Sequence, residues 1–354
     1  MTVLRVRKDK KSFKVVFHGH GSRTRRTVFM HIPDGYLSPK TCGVLYAAMV
    51  PIWYLAARKL QKTLHTKQIP LLALGAAFTF VIMMFNIPIP GGSTGHMVGG
   101  AVVACVLGPW AAVISLSLAL TIQALLFGDG GITTLGANCF NMAFLMPFAG
   151  YYVYHIIAAG NPGQRRKWVA LFIAGYVAMN IAALAVAVEL GIQPLIASSP
   201  DGRPLYAPYP LSVTIPAMAA SHLMFFGLVE AIGTAMVVSY VFKTNEAMLY
   251  KPAHNPLKPL WIALIILIIL TPLGLLAKGT AWGEWASEEL KSILGYAPAG
   301  LQRLEGLWTS IMPGYNIPGF DSPMKSTLGY VVSAALGSAL IVLTIYIAGR
   351  IWKR

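Results

Sequence analysis

Of the side chains in this sequence, its eight histidines are the best suited to chemistry, and two of them stand apart. His31 directly follows Met30, and His96 closes the run Asn86-Ile87-Pro88-Ile89-Pro90-Gly91-Gly92-Ser93-Thr94-Gly95-His96. If Met30 carries a free α-amine, that amine, the His31 peptide nitrogen and the His31 imidazole can chelate one metal ion. Amine and amide close a five-membered ring, and the imidazole closes a six-membered one. The peptide nitrogen must lose its proton, which favours strong-field planar binding. A nitrogen from His96 completes a set of four. Planar nitrogen donors point to Ni(II) or Cu(II), and less directly to Co(II). An α-amine with a pKa of about 7.7–8.0 gives up its proton readily on binding. By residue type alone, two isolated histidines are more often structural residues than ligands.

The other candidates carry less chemistry. His18 and His20 lie in a basic amino-terminal stretch, His65 and His254 in basic loops, and His155 near a helix end. All five read as solvated or interfacial. Cys42, Cys105 and Cys139 sit far apart in apolar stretches with no CxxC pair, so they read as free core thiols. Asn138 and Asn141 lie one helical turn apart. They suit holding the amino-terminal chain or orienting His96, since metal-bound histidines donate their second N–H to a partner. They equally suit a helix cap or polar packing between helices. Gln123, five residues before Gly128, can act in the same way. Asp34 follows Pro33 and suits an Asx-type turn. Glu230 reads as the only acid well inside an apolar segment, which makes it a functional candidate. His222 lies about two turns earlier on the same face. The pair suits either a network that anchors its helix or a proton relay.

The elements that must position these residues are membrane helices. The chain has 354 residues, of which 56% are hydrophobic and only 11% charged. A soluble domain carries about 25% charged residues, which argues against a soluble enzyme, and the hydrophobicity excludes disorder. Nine apolar segments follow one another at about 41–59, 69–87, 97–107, 109–127, 137–158, 168–190, 212–242, 259–277 and 328–351. Most reach the ~20 residues that cross a bilayer core as a helix. The third is short. It begins after the broken stretch 86–96 and ends at Gly108-Pro109, where Pro and Gly stop helices. Irregular backbone at membrane depth needs protein or a cavity around it, so this stretch is expected to dip into the protein. The fold class is an all-α polytopic membrane protein.

Charge sets the orientation. Alternating crossings put thirteen Lys/Arg and Glu246 on one side. They put six Lys/Arg and eight acids (Asp34, Asp129, Asp201, Glu284, Glu288, Glu289, Glu305 and Asp321) on the other. The basic side is the cytoplasmic one, which places residue 30 outside and the carboxyl terminus inside. The net charge of +16 is therefore a topology signal and implies no nucleic-acid partner. Half of it, +8, lies in residues 1–29, on the wrong side for the rule. This extension has no apolar run of the ~7–15 residues a signal peptide needs. It would also turn the Met30 amine into an amide of Phe29. It is expected to be absent from the mature chain, with a misassigned start codon as the favoured reason.

The motifs resemble a known family. Met30-His31-Ile32-Pro33-Asp34-Gly35-Tyr36-Leu37-Ser38-Pro39 looks like the mature amino terminus of the substrate-binding (S) membrane component of energy-coupling-factor (ECF) cobalt/nickel importers. Ile89–His96, Gln123–Asn138, Phe140-Asn141-Met142, His222 and Gly227-Leu228-Val229-Glu230 match in order, out to about residue 245. The resemblance implies that Met30, His31 and His96 bind the ion. It implies a cargo of Ni2+ or Co2+ with no permanent cofactor, supplying cobalt for cobalamin biosynthesis or nickel for nickel enzymes. It further implies a transmembrane coupling (T) subunit and cytoplasmic ATPase subunits as partners in a prokaryotic inner membrane. Residues 259–351 resemble the family's small two-helix accessory component, here fused in tandem, with an acidic, Trp- and Gly-rich outer loop at about 278–327. The expected organisation is thus 1–29 extension, 30–245 metal-binding domain and 246–354 accessory domain.

Two other function classes fit the residues. A gradient-driven secondary transporter suits the broken loop. A polytopic enzyme could use His31, His96 and His222 as a catalytic metal site with an open coordination position. The chain lacks a GxxxxGK[ST] phosphate loop, so ATP hydrolysis by the usual loop would have to come from another subunit.

Overall fold

The computed structural model describes residues 3–9, 12–18, 31–63, 65–90, 92–160, 162–250, 257–277 and 279–352. Met30, the expected first ligand, lies outside the described residues, as does most of 1–29. Within that extension, strands β1 (Val3–Asp9) and β2 (Ser12–His18) pair antiparallel.

The rest is helical, and each of the nine apolar segments carries a helix. These are α1 (Pro39–Thr63), α2 (Ile69–Met83), α3 (Gly100–Leu107), α4 (Pro109–Phe127), α5 (135–157), α6 (Gln164–Gly191), α7 (Leu211–Thr244) and α8 (Lys258–Leu276). Two short helices, α9 (Ser287–Leu294) and α10 (Ala299–Leu304), precede the ninth segment's α11 (Pro323–Trp352). Among the described residues, six of these helices are long and apolar enough to cross a membrane: α1, α4, α6, α7, α8 and α11. The helix α2 has 15 residues and α3 has 8.

Glycine and proline set the breaks. Gly99 (φ 77°) opens α3, Gly108 (φ 90°) ends it, and Pro109 takes the first position of α4, where a missing N–H costs nothing. The stretch before His96 is more ordered than a loop. Strands β3 (Ile87–Pro88) and β4 (Thr94–Gly95) pair as a tiny hairpin. Thr94 and His96 are buried, so this stretch does turn into the protein.

Helix α6 packs between α5 and α7, and α11 packs along α2. Backbones approach closely: a Cβ on Gly175 of α6 would lie 2.8 Å from the Glu230 carbonyl of α7. Small residues at such crossings replace the hydrophobic drive that lipid does not supply. Three helices widen into π turns at Gln123–Phe127, Cys139–Leu145 and His222–Phe226. Such turns mark functional sites more often than plain helix, and these carry or adjoin Gln123, Asn138, Asn141 and His222.

Over its described residues, the stretch expected as an outer loop, about 278–327, is folded onto the amino-terminal chain. Leu290 of α9 and Leu301 of α10 are buried in one cluster with Ile32, Tyr36 and Leu37, with Trp282 and Trp285 packed beside them. Its aromatic and leucine residues have an apolar surface to bury, and that outweighs solvation of its charges.

Candidate metal centre

His31 and His96, 65 positions apart, meet at one end of the bundle. Their ring centroids are 5.3 Å apart, edge to face. Two imidazoles sharing one ion at about 2 Å from each nitrogen have centroids roughly 4–6 Å apart, so the pair is spaced to share a cation. Both residues are buried and line a cavity of about 100 Å³ together with Thr94, His222, Trp282 and Glu284.

Each histidine is aimed by its surroundings. His96 Nδ1 lies 3.0 Å from the Met97 carbonyl oxygen. A carbonyl only accepts, so the proton sits on Nδ1 and Nε2 keeps its lone pair. The backbone after His96 is clamped by Glu230, whose carboxylate accepts from Val98 N at 2.8 Å and Gly99 N at 3.1 Å. His31 Nδ1 is 3.2 Å from Asp129 Oδ1, yet neither ring nitrogen of His31 makes an aligned hydrogen bond among the described residues. A buried imidazole whose nitrogens lack aligned partners suits a role as ligand.

The chain after His31 is pinned. The Ile32 carbonyl accepts from Gly131 N (3.0 Å), Asn138 Nδ2 (3.1 Å) and the Thr134 hydroxyl. Asn138 Oδ1 in turn accepts from Ile32 N at 3.1 Å. Of the two roles open to Asn138, holding the amino-terminal chain is the one it plays. Gly128 (φ 67°) and Gly130 (φ 84°) turn the chain sharply around the buried Asp129. A Cβ on Gly131 would lie 2.3 Å from the Asp34 amide nitrogen. Gly131→Ala should therefore displace residues 31–34, at a cost of about 1–3 kcal/mol. Its Ni2+ affinity should fall while circular dichroism keeps the helix signal; wild-type affinity would show that this packing is dispensable.

Several expectations change. Asp34 does not close a local Asx turn. Its carboxylate reaches across to Ile132 N (3.1 Å), Thr133 N (2.7 Å) and the Thr133 hydroxyl, because the 131–134 turn presents unpaired N–H groups there. Among the described residues no hydrogen bond joins His222 to Glu230. His222 Nδ1 pairs with the Met218 carbonyl (2.8 Å) and the Ser221 hydroxyl (3.0 Å), while Glu230 serves the His96 loop. The π turn between them rotates one relative to the other. Glu230 is also not the only buried acid. Glu189, near the end of α6, is buried and accepts from Asn141 Nδ2 at 2.8 Å. Asn141 thus ties α5 to α6 and leaves His96 to the Met97 carbonyl.

Gln123 leads to residues the sequence did not single out. Its Nε2 donates to the Tyr315 hydroxyl (2.9 Å), and that hydroxyl donates to Asp129 Oδ2 (2.6 Å). Burial first, and the Asp129 charge second, push the Tyr315 hydroxyl well above the ordinary tyrosine range, so it remains a donor. Tyr36 donates its hydroxyl to the Trp285 carbonyl. Burial, and then the charge of Asp129, also push the Glu284 carboxyl well above the usual range. Asp129 carried a signal in its flanking glycines. Tyr315 and Glu284 carried none, being remote in sequence.

Among the described residues no group of three His, Cys, Asp or Glu could hold an ion.

Comparison with known proteins gives the family. Residues 31–248 match the family described as the cobalt uptake substrate-specific transmembrane region (CbiM), and residues 258–354 match the PDGLE domain. The fused nickel transport protein NikMN of Rhodobacter capsulatus is 49% identical and aligns over 88% of this chain and 95% of its own. The probable fused nickel transport protein LarMN of Lactiplantibacillus plantarum is 43% identical over 89% and 96%. A crystal structure described as a transition metal transporter is 54% identical, covers 64% of this chain and 98% of its own, and superposes with a TM-score of 0.59. These relatives are named as transporters, not enzymes, which sets aside the catalytic reading. The chain belongs to the cobalt uptake substrate-specific transmembrane family, as a substrate-binding component fused to a PDGLE accessory part.

Proposed function

We propose that this protein captures Ni2+ or Co2+ at the outer face of a prokaryotic inner membrane as the S component of an ECF-type importer. The ion is held by four nitrogens: the Met30 amine, the His31 amide, the His31 imidazole and His96 Nε2. Residues 30–245 form the capture domain and 246–354 the accessory domain. Separate T and ATPase subunits drive transport, since this chain has no phosphate loop. The observation that carries the reading is the meeting of the His31 and His96 imidazoles, 5.3 Å apart, one residue from Met30. Glu230 and Glu189 do not suggest a proton relay, because Glu230 is occupied by backbone N–H groups and Glu189 by Asn141.

Topology and site support each other. The chain runs from the site into α1, whose 25 residues span about 37 Å and carry Arg58, Lys59 and Lys62 near their far end. The basic loop is thus at the far end of the bundle from the site and the acidic stretch.

The test compares chains begun at Met1 and at Met30, purified and titrated with Ni2+ and Co2+, with mass spectrometry to read the amino terminus. The Met30 chain is expected to bind tightly. A Met1 chain that keeps its extension is expected to bind at least about 100-fold more weakly, a larger loss than an outer-shell partner usually causes. Equal affinity with the extension intact would remove the amine from the site. Metal uptake in cells lacking the ATPase subunits would favour the gradient-driven alternative.

A further inference from the structure

We propose that Glu284, in the PDGLE part of the chain, and His222 of α7 form a second cation site in the same cavity, a waiting site that receives Ni2+ or Co2+ before the nitrogen donors at His31 and His96 take it. The inference rests on the site reading above and adds the route by which the ion reaches that site.

Both side chains line the cavity of about 100 Å³ that His31 and His96 share. Each brings a donor atom to it. Glu284 Oε2 is buried with no hydrogen-bond partner among the described residues. His222 Nδ1 lies 2.8 Å from the Met218 carbonyl oxygen. A carbonyl only accepts, so the proton sits on Nδ1 and Nε2 keeps its lone pair. A carboxylate oxygen and an imidazole nitrogen both serve as donors to first-row divalent cations. Two protein donors leave the remaining positions on the ion to water. Such a site holds an ion loosely and gives it up to a set of four nitrogens.

The fold puts this pair on the entry side. The ring of Phe226 packs directly on Gly95, beside His96. His222 opens the π turn that Phe226 ends, so it lies about one turn nearer the end of α7 that the topology puts outside. Glu284 comes from the stretch that closes over residues 31–37, and its segment is fastened to both ligand-bearing pieces. The Thr94 hydroxyl donates to the Gly279 carbonyl at 3.4 Å, and the Tyr36 hydroxyl donates to the Trp285 carbonyl. Trp282 packs on Ala183, Ala187 and Met218, and Met218 is the residue whose carbonyl holds His222.

Packing alone does not account for the acid. Glu305, in the same stretch, accepts from the Ser287 N–H at 3.0 Å and from the Ser287 hydroxyl. Glu284 Oε2 has no such donor among the described residues. A buried carboxyl oxygen without a partner is costly, and a leucine would fill the place at less cost. Burial, and then the Asp129 charge, disfavour the ionised form of Glu284. A divalent cation beside it restores that form.

The experiment uses the intact chain begun at Met30. Ni2+ quenches tryptophan emission, and Trp282 lines the cavity, so stopped-flow fluorescence reads association and, after a chelator is added, dissociation. The wild type, Glu284→Gln, His222→Gln, the double variant and His96→Ala are compared, with the melting temperature of each metal-free protein. Glutamine keeps the shape of Glu284, so E284Q should melt close to wild type. The ion occupies the waiting site only in transit, and the final complex is untouched. Loss of either donor should therefore slow association and dissociation together, each about tenfold, the low end of what charge in a cleft adds to an on-rate. Their ratio, the Kd, should stay within about threefold. A group that merely supports the nitrogen site would raise Kd instead. The double variant should be no slower than the slower single variant, since both changes remove one site. Association by E284Q within about twofold of wild type, a Kd that rises while association is unchanged, or losses that multiply in the double variant would overturn the inference. So would an E284Q protein that cannot be recovered folded, which would make Glu284 a packing residue. If E284Q is silent while H96A abolishes tight binding, the waiting site fails and the nitrogen site stands. If H96A binds like wild type, the nitrogen site fails and the waiting site with it.

Discussion

Replacing His96 with alanine is expected to abolish tight Ni2+ binding. The imidazole supplies one of the four proposed nitrogens, and its Nε2 is left with the lone pair by the Nδ1 contact to Met97 O. Losing a partner of a metal ligand costs about 10–100-fold in affinity, so losing a ligand should exceed that range. The fold should survive, because the loop is clamped through the backbone of Val98 and Gly99 and not through the imidazole. Equilibrium binding together with the melting temperature checks both halves. Tight binding by His96→Ala would show that the loop only borders the ion.

The second large effect is expected at Glu230, which touches no metal in this reading. Glu230→Ala leaves two buried N–H groups, of Val98 and Gly99, without their acceptor. Each orphaned donor costs about 1–3 kcal/mol, so a total loss of about 2–6 kcal/mol is expected. The melting temperature should fall and Ni2+ affinity should fall with it, because the clamped residues directly follow His96. Glu230→Gln keeps one acceptor oxygen and should recover part of both. Unchanged melting and affinity in the alanine variant would mean that the clamp is not what holds the loop.

Much of this protein is decided by its linear order. Each of the nine apolar runs carries a helix among the described residues, and six of these are long and apolar enough to cross a membrane. The Gly108-Pro109 break ends α3 and starts α4 where the residue types require it. His31 and His96 were legible as ligand candidates because each sits at a chain feature, beside Met30 and at the end of a Gly/Pro run. What the sequence left open was direction. Glu230 and His222 share a helical face on a wheel, but a π turn at His222–Phe226 intervenes, and each takes a different partner. Asn138 and Asn141 likewise part, one to Ile32 and one to Glu189. A π turn is one extra residue in a helical repeat, and local propensities do not reveal it.

The contacts between distant segments belong to the tertiary structure alone. The acidic, Trp-rich stretch at about 278–327 was readable as an outer loop, yet only the fold shows its aromatic side chains closing over residues 31–37. Tyr315 reaches Asp129 across 186 positions. Sequence fixes the chemistry each of those groups can perform. Only packing brings a hydroxyl, a carboxylate and an imidazole into line, because short-range hydrogen bonds depend on distances that chain spacing does not set.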